Sequence, residues 1–397
     1  MKNKSKKNAG KKVPHQVKIK APDHVLRLLV KAGSRCEFRG CNKYLLDDKF
    51  TGFKELNLAD VAHIVGRAID GPRGKHPLPI IERNKAENLM LLCAEHHNKI
   101  IDKGKLVSQF PVELLRRYKK EHENRIFQLT AMGPECRTTI IRMLGNIRGD
   151  SVSISQDEIR EAVFQLGRYP DYLGVENNIE IDLTNLPKKD DGKYWESGVE
   201  KINEILDRQI IPAFDKKEIT HISIFAFARI PFLLYLGHKL GDKIPTELFQ
   251  KQRSSGQNWV WEEKGNSISF VSNLVRKGKQ KNKVALMLSI SGKVKVSDLP
   301  SKIGSGFSIY EITPRNVEPG REILKTKISV DSFRLVYEKL LREIERKHTA
   351  DEIHLFPAIP ISAAIVCGKG LLKGISPALL VYDKAKNTYS ITIKVKG

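Results

Sequence analysis

The chain has 397 residues, of which 40% are hydrophobic and 29% charged, a composition typical of a globular protein with two or three domains. It has no apolar run long enough for a membrane helix and no hydrophobic segment behind its lysine-rich start, which argues against a membrane or exported protein. We therefore expect a cytoplasmic protein without a membrane partner.

The formal net charge of +23 is concentrated in the N-terminal third. Residues 1–150 contain 31 Lys and Arg against 16 Asp and Glu, so they carry +15 of that charge. A basic surface attracts polyanions, of which nucleic acid is the commonest. A lysine run is more often a solubility feature than a binding site, so charge alone indicates nucleic acid without establishing it.

In chain order, residues 1–20 are predicted to be a flexible basic arm, and residues 21–132 a compact domain. That domain opens with apolar residues at helical spacing in PDHVLRLLVKAGSRC, with Gly33 as the expected C-cap. It closes with an amphipathic helix in FPVELLRRYKKEHENRIFQL. We predict a linker over residues 133–150.

Residues 151–397 alternate short apolar strands with helical patterns, which predicts an α/β domain with parallel sheets. A weak internal repeat at an offset of 131 residues supports two halves of the same design. Chance similarity between two ordinary strand–helix units is the alternative. The matched pairs are Ile222 and Ile353, Ile224 and Leu355, Phe225 and Phe356, Gly237 and Gly368, and Ile244 and Ile375.

Five cysteines without an export signal argue against disulfides and for reduced thiols. Two short pairs, Cys36 with Cys41 and Cys93 with His96, together supply the Cys3His ligand set of structural zinc. Four unrelated buried side chains are the alternative. The remaining thiols, Cys136 and Cys367, have no partner in sequence and are expected to be inert.

A histidine and an asparagine lie between and beside these pairs, in LADVAHIVGRAIDGPRG and KAENLMLLCAEHHNKI. The order His63, Asn88, His97 among zinc-binding pairs resembles an HNH endonuclease of the ββα-metal type over roughly residues 33–105. The resemblance implies that His63 is the general base, that Asn88 holds the base-bearing loop or joins the metal shell, and that His97 binds a catalytic ion. A neutral imidazole, with an ordinary pKa of about 6.5, can activate water at cellular pH.

The ligand set of the catalytic ion stays open because Ala62 stands where many HNH enzymes carry a second ligand. Asp60 is the nearest carboxylate before His63, although an ideal strand would direct it to the opposite face. Asp102 and Asn98, close after His97, are the alternatives. An ion that keeps several waters in such a site suits magnesium.

The glycine-rich loop after His63 carries cations that are expected to contact the phosphates of double-stranded DNA without reading its sequence. These are Arg67, Arg73 and Lys75, with His76 beside them.

An HNH unit followed by a duplicated α/β domain, with the segments HISIFAFARIPFLLYLGHKLG and EIHLFPAIPISAAIVCGKG, resembles the HNH-SAVED effector nucleases of bacterial cyclic-oligonucleotide antiphage signalling (CBASS) over about residues 25–397. The resemblance implies an α+β zinc-bound domain followed by two fused Rossmann-like, CARF-like halves. It also implies a cyclic di- or trinucleotide made by a partner nucleotidyltransferase, and a homo-oligomer, a dimer that assembles further when the ligand binds and then degrades double-stranded DNA.

A nucleotide pocket needs cations for phosphates and aromatic faces for bases. The candidates in the second domain are Arg229, Arg253, Trp259, Trp261, Ser362 and Lys369. Strand alternation would put both tryptophans on one side, where core packing is the alternative to base stacking. Two other functions remain open for the whole chain: a restriction-type HNH nuclease whose second domain recognises modified DNA, and a catalytically decayed, zinc-stabilised DNA-binding protein.

Overall fold

The computed structural model describes residues 22–46, 58–101, 107–147, 154–171, 179–187, 192–252, 259, 261–263, 265–372, 374–385 and 388–396. It divides the chain into two compact units, Met1–Ala131 and Met132–Gly397. No helix among the described residues is both long and apolar enough to cross a membrane.

The N-terminal unit is a small hairpin between helices. Its elements are helix α1 (Asp23–Ala32), strands β1 (Ala59–His63) and β2 (Leu89–Cys93), a π-helical turn (His96–Ile101) and helix α2 (Val112–Thr130). The two strands are antiparallel, with Ala59 opposite Cys93 and His63 opposite Leu89. As the sequence predicts, α1 ends at Gly33, whose φ of 57° is in the left-handed region that favours glycine.

The first sheet of the C-terminal unit is wholly parallel. Its elements are β3 (Arg137–Gly145), α3 (Gln156–Gln165), β4 (Tyr169–Pro170), β5 (Ile179–Leu183), α4 (Gly192–Ile205), α5 (Ile211–Asp215), β6 (Ile222–Phe227), α6 (Ile230–Leu240) and β7 (Thr246–Phe249). Strand β3 pairs with β4 and β5 and also with β6, and β6 pairs with β7.

The prediction of a linker over residues 133–150 is therefore wrong for its central part. Residues Arg137–Gly145 form β3, a central strand whose side chains at Ile140, Ile141 and Met143 are fully buried. A strand with parallel partners on both sides is buried on both faces, so it shows no alternation that would mark it in sequence.

The second sheet has a parallel centre and antiparallel edges. Its elements are β8 (Phe270–Arg276), β9 (Val284–Ser289), β10 (Ser308–Pro314), α7 (Lys327–Lys347), β11 (Glu352–Ala358), α8 (Ile361–Lys369), β12 (Ala378–Ala385) and β13 (Thr388–Val395). The strand order is β13-β12-β11-β9-β10-β8, with β13 and β8 antiparallel to their neighbours.

The repeat seen in the sequence coincides with two strand–helix–strand units. The unit β6-α6-β7 becomes β11-α8-β12 at the offset of 131, and both pairs of strands are parallel. The helices α6 and α8 pack against each other with Gly237 and Gly368 at the contact. This arrangement confirms the α/β prediction for the C-terminal unit.

Candidate functional site

The predicted zinc ligands of the N-terminal unit converge in space. The ligand atoms of Cys36, Cys41, Cys93 and His96 all lie within 4.8 Å of one another. His96 Nδ1 is 3.0 Å from the Cys93 sulfur and 3.7 Å from the Cys36 sulfur. The ring of Phe38 stacks on His96 with 4.2 Å between centroids, which fixes the direction of the imidazole.

This donor set fits a tetrahedral zinc ion, whose bonds to sulfur are about 2.3 Å long. Burial raises the pKa of Cys36, and nearby backbone hydrogen bonds only partly oppose it. A buried thiol with a raised pKa stays protonated unless a bound cation stabilises the thiolate charge. Desolvation lowers the pKa of His96, which favours the neutral imidazole that metals bind.

A buried carboxylate links the first cysteine pair to β2. Glu37 Oε2 accepts a hydrogen bond of 2.6 Å from the backbone N–H of Leu91, and Lys119 Nζ lies 3.7 Å from Glu37 Oε1. Burial raises the pKa of Glu37 to about 7, against the lowering effect of Lys119. This pair connects α2 to the first cysteine pair through Lys119 and Glu37, and no spacing in the sequence marks it.

On the far side of the cluster, the structure brings together Asp60 of β1 and His97. His97 Nδ1 is 3.6 Å from Asp60 Oδ2, and both side chains keep contact with solvent. Ala62, at 2% exposure, lies in the hydrophobic core and offers no ligand. Asp60 is thus the carboxylate that accompanies His97, and a carboxylate with an imidazole can supply two ligands to a divalent ion. Asp102 lies outside the described residues.

Asn88 is buried, and its amide bonds to the backbone. Its Oδ1 accepts from the N–H of Val65 at 2.9 Å, and its Nδ2 donates to the carbonyls of Val65 and Arg83 at 2.9 and 2.8 Å. These bonds support the loop-holding role and leave no reason to place Asn88 in a metal shell.

His63, at the end of β1, contacts an asparagine that the motif does not include. Its Nε2 lies 3.0 Å from Asn84 Oδ1. The preceding residue, Arg83, is buried and donates to the carbonyls of Gly66, Gly74 and Leu78 at 2.7, 2.9 and 3.1 Å. The backbone carbonyls of a glycine-rich loop need hydrogen-bond donors. A nearby arginine can supply several donors, and this need is the sequence signal that could have indicated Arg83.

The loop cations divide by role. Arg73 donates from Nε to the carbonyl of Ile64 at 2.6 Å and from Nη2 to that of His63 at 3.4 Å, so it supports the strand end. These bonds do not favour the predicted contact between Arg73 and a DNA phosphate. Arg67 and Lys75 are exposed, as a DNA-binding role requires.

In the C-terminal unit, Arg229 lies between the carboxyl end of β6 and the start of α6. Its Nε donates to Asp383 Oδ2 on β12 at 2.9 Å, and its guanidinium lies 4.5 Å from the ring centroid of Trp195. Asp383 and Trp195 were not singled out from the sequence. Parallel α/β sheets bind ligands at the carboxyl ends of their strands, and Arg229 is a cation at that edge.

A cavity of about 740 Å³ lies beside the carboxyl ends of β9 and β10. The N–H of Gly320, in its lining, bonds to the carbonyl of Ile290, directly after β9, at 2.9 Å. The lining carries two cations, Arg321 and Lys325, against three carboxylates, Glu262, Glu318 and Glu322, and Lys325 lies 3.7 Å from Glu262 and 3.8 Å from Glu322. These cations follow β10 in a loop that the sequence analysis did not single out.

Three of the predicted pocket residues are packed inside the unit. Ser362 is fully buried and donates to Gln250 Oε1 at 2.7 Å. Trp259 is 2% exposed and packs on Phe225, whereas Trp261 is 7% exposed, lies in a different core cluster and donates from Nε1 to the carbonyl of Leu248 at 2.8 Å.

The prediction that both tryptophans lie on one side of a strand is therefore wrong. Neither belongs to a strand, and they enter separate cores, so the packing alternative is the one that the structure favours. Arg253 lies outside the described residues.

Lys369 and Arg229 lie at opposite ends of the strands of the first sheet, since Arg229 follows the carboxyl end of β6 and Lys369 lies beside the amino end of β7. Lys369 lines a cavity of about 410 Å³ beside the amino end of β7, and its Nζ donates to Thr246 Oγ1 at 3.0 Å. Burial lowers the pKa of Lys369 to about 8, although Asp242 opposes the shift. Lys369 and Arg229 therefore cannot hold one ligand at the carboxyl edge.

Residues 202–395 match the model of the family described as "SMODS-associated and fused to various effectors sensor domain". This part of the chain is a SAVED sensor domain. The match covers α6, α8 and the whole second sheet, and it begins within α4. No curated protein matches the chain.

Solved SAVED structures resemble the chain at low identity. The Acinetobacter baumannii Cap4 SAVED/CARF-domain receptor with the cyclic trinucleotide 2'3'3'-cAAA has a TM-score of 0.45 and 12% identity, covering 72% of this chain and 62% of that one. The same receptor with 3'3'3'-cAAA has a TM-score of 0.44, 13% identity and coverages of 73% and 60%. The Moraxella osloensis Cap4 receptor has a TM-score of 0.38, 12% identity and coverages of 72% and 60%. The chain thus spans about 60% of the length of these structures. At these TM-scores the similarity assigns no role to any individual residue of the chain.

Proposed function

We propose that the chain is a metal-dependent endonuclease that cleaves double-stranded DNA when its SAVED domain binds a cyclic oligonucleotide, as an effector of antiphage defence. The observation that carries the nuclease part is the Cys3His cluster at the base of the β1–β2 hairpin, next to the paired side chains of Asp60 and His97. A metal ion bound by such a cluster would add its binding free energy to the stability of the hairpin.

In this proposal, His63 takes a proton from the water that attacks the phosphodiester. Asn88 holds the loop that follows His63 through its three backbone hydrogen bonds. Asp60 and His97 would hold a magnesium ion, which when bound would offset charge on the phosphate and on the leaving 3′ oxygen. Asp60 takes the role that Ala62 cannot, because a methyl group binds no cation.

The exposed cations Arg67 and Lys75 supply contacts to the DNA backbone. They follow His63 in a loop whose carbonyls are held by Arg83, so they are presented from a fixed frame. Contacts of this kind bind any sequence and weaken as salt rises.

For the sensor part, Arg229 offers a cation at the carboxyl ends of the strands, where Asp383 and Trp195 hold its guanidinium group. A cyclic di- or trinucleotide carries one phosphate per nucleotide, and a guanidinium group at this end of the sheet can pair with a phosphate. The Acinetobacter baumannii receptor was solved with 2'3'3'-cAAA and 3'3'3'-cAAA, so these two compounds lead the panel of ligands to test. We further propose a dimer that assembles into larger species on binding.

The test is cleavage of a supercoiled plasmid by the full chain with zinc and magnesium, with and without each cyclic di- and trinucleotide, on methylated and unmethylated DNA. We expect cleavage with one cyclic nucleotide and loss of at least about a hundredfold in rate for His63→Ala, the usual contribution of a general base. Light scattering of the same samples reports assembly.

The other outcomes identify the other functions. Cleavage that depends on DNA modification and on no nucleotide supports a restriction-type HNH nuclease. DNA binding without cleavage under any condition supports a decayed, zinc-stabilised DNA-binding protein, which Ala62 would then explain.

A further inference from the structure

We propose that Asn84 is the positioning residue of His63: its side-chain oxygen holds a proton on Nε2 of the imidazole, which leaves Nδ1 as the atom that accepts a proton from water. The inference rests on the proposed nuclease function and adds to it a residue and an atom. Nothing in the His63, Asn88, His97 pattern includes position 84.

The orientation of the Asn84 amide, which presents its oxygen to the ring, assigns the proton to one nitrogen of His63. His63 Nε2 and Asn84 Oδ1 are 3.0 Å apart, a normal hydrogen-bond distance. An amide oxygen can only accept, so the donor must be the Nε2–H of His63. A neutral imidazole has one N–H, and its lone pair is therefore on Nδ1.

The backbone at Asn84 is fixed by the hydrogen bonds of its neighbour Arg83, and not by burial of the Asn84 side chain. Arg83 is 3% exposed and bonds to carbonyls on both sides of the loop, at Gly66 and Gly74. The carbonyl of Arg83 in turn accepts from Asn88 Nδ2 at 2.8 Å. The side chain of Asn84 is exposed, so it is not needed for the core.

The other end of the contact is anchored too. The side chain of Arg73 bonds to the carbonyls of His63 and Ile64, and the N–H of Ile64 bonds to the carbonyl of Asn88 at 2.8 Å. Both partners of the bond are thus attached to one backbone frame around Asn88. A contact between two anchored residues restricts the imidazole at little cost in conformational entropy.

The proton transfer balances in this arrangement. One O–H bond of water breaks, and an N–H bond forms at Nδ1. The resulting hydroxide attacks phosphorus as the bond from phosphorus to the 3′ oxygen breaks, and the leaving 3′ oxygen takes a proton from a second water molecule. The imidazole becomes a cation, and the bond from Nε2–H to Asn84 becomes charge-assisted and therefore stronger. Asn84 stabilises the product of the proton transfer more than the reactant.

The experiment uses the full, zinc-loaded chain and compares Asn84→Ala, Asn84→Asp and the control Asn124→Ala, an exposed asparagine on α2. Single-turnover plasmid cleavage is measured across pH at saturating DNA and activator. We expect Asn84→Ala to cut on the order of 10- to 100-fold more slowly, the cost of a poorly oriented catalytic group, with unchanged DNA affinity, zinc content and Tm. Asn84→Asp should move the acidic limb of the pH–rate profile to higher pH, because a carboxylate favours the imidazolium.

A second readout does not depend on cutting. In protein with ¹⁵N-labelled histidine, assigned through His63→Ala, the His63 nitrogens should show the Nε2–H form in the native chain and in Asn124→Ala. Asn84→Ala should show a mixture of both tautomers.

The outcomes separate this inference from the nuclease proposal. A native chain that cuts while Asn84→Ala matches Asn124→Ala in rate and pH profile overturns the role of Asn84 and leaves the nuclease intact. An Nδ1–H form in the native chain overturns the assignment of the basic atom. A native chain that never cuts overturns the nuclease proposal, and the bond from His63 to Asn84 then has no catalytic role.

Discussion

Gly237 and Gly368 each lie against the backbone of the helix that carries the other. A Cβ atom at Gly237 would collide with the carbonyl oxygen of Ile365 in α8, and one at Gly368 would collide with that of Leu234 in α6. Leu234 and Ile365 are themselves related by the offset of 131, so the contact is symmetric. It joins the two halves of the C-terminal unit through their backbones.

This contact predicts that Gly237→Ala or Gly368→Ala destabilises the C-terminal unit by about 1–3 kcal/mol or more, because backbone atoms cannot yield as a side chain can. Urea unfolding, followed by tryptophan fluorescence, measures the change. Gly292→Ala is the control, since a Cβ there meets nothing within 4 Å and should change stability by less than about 0.5 kcal/mol. Equal effects at all three positions would contradict the close approach.

The two adjacent histidines should respond differently to substitution. His96→Ala removes a ligand of the Cys3His cluster, so we expect loss of bound zinc and unfolding of the N-terminal unit. His97→Ala should leave a folded, zinc-loaded protein that no longer cleaves DNA. Metal analysis, circular dichroism and plasmid cleavage of each variant make the comparison, and loss of zinc from His97→Ala would reverse the two roles.

Substitutions of Arg229 and Lys369 test whether the nucleotide binds at the carboxyl ends or at the amino ends of the strands in the first sheet. Arg229→Gln should weaken binding of the activating cyclic nucleotide by about tenfold or more, the usual effect of losing a hydrogen bond to a charged group. Lys369→Met should leave affinity unchanged, because Lys369 lies beside the amino end of β7. Calorimetric titration measures both. The opposite ranking would move the ligand to the cavity beside Lys369.

Stability should fall in acid because of His221, whose Nδ1 lies 2.7 Å from Thr138 Oγ1. Burial, with Arg168 and Lys327 nearby, lowers the pKa of His221 to about 4, whereas an unfolded histidine titrates near its usual value. Between about pH 6.5 and 4 the unfolded chain binds a proton that the folded chain does not, so stability is present above this window and is lost as pH falls through it.

Replacing His221 with Asn should reduce that slope by at most one proton, about 1.4 kcal/mol per pH unit. Unfolding free energies of the native chain and of His221→Asn at several pH values provide the measurement. Identical slopes for the two proteins between pH 6.5 and 4 would show that His221 is not the responsible group.

The sequence predicts the elements that carry their own signal. Gly237 and Gly368 align two strand–helix–strand units because a close helix contact requires glycine at both positions. The four residues of the Cys3His cluster are recognisable from spacing because the two members of each pair lie within five positions of each other in sequence. Gly33 marks the end of α1 because a positive φ favours glycine.

Features that depend on distant partners could not be read in this way. Strand β3 is set by pairing with β5 and β6, which lie more than 30 residues away in sequence. The bonds from His63 to Asn84 and from Arg229 to Asp383 join residues 21 and 154 positions apart. Trp259 packs in the core against Phe225, 34 residues earlier in sequence, which no local pattern indicates.

In the proposed function, a small cyclic nucleotide switches on a nuclease in the same chain. The initial rate of supercoiled plasmid loss with magnesium, measured with and without a cyclic trinucleotide in the native chain and in His63→Ala, tests this coupling. We expect the rate of the native chain to rise by at least about tenfold on adding the activating nucleotide, and the rate of His63→Ala to stay unchanged. A native chain that cuts equally fast without any nucleotide, or a His63→Ala variant that responds like the native chain, would contradict it.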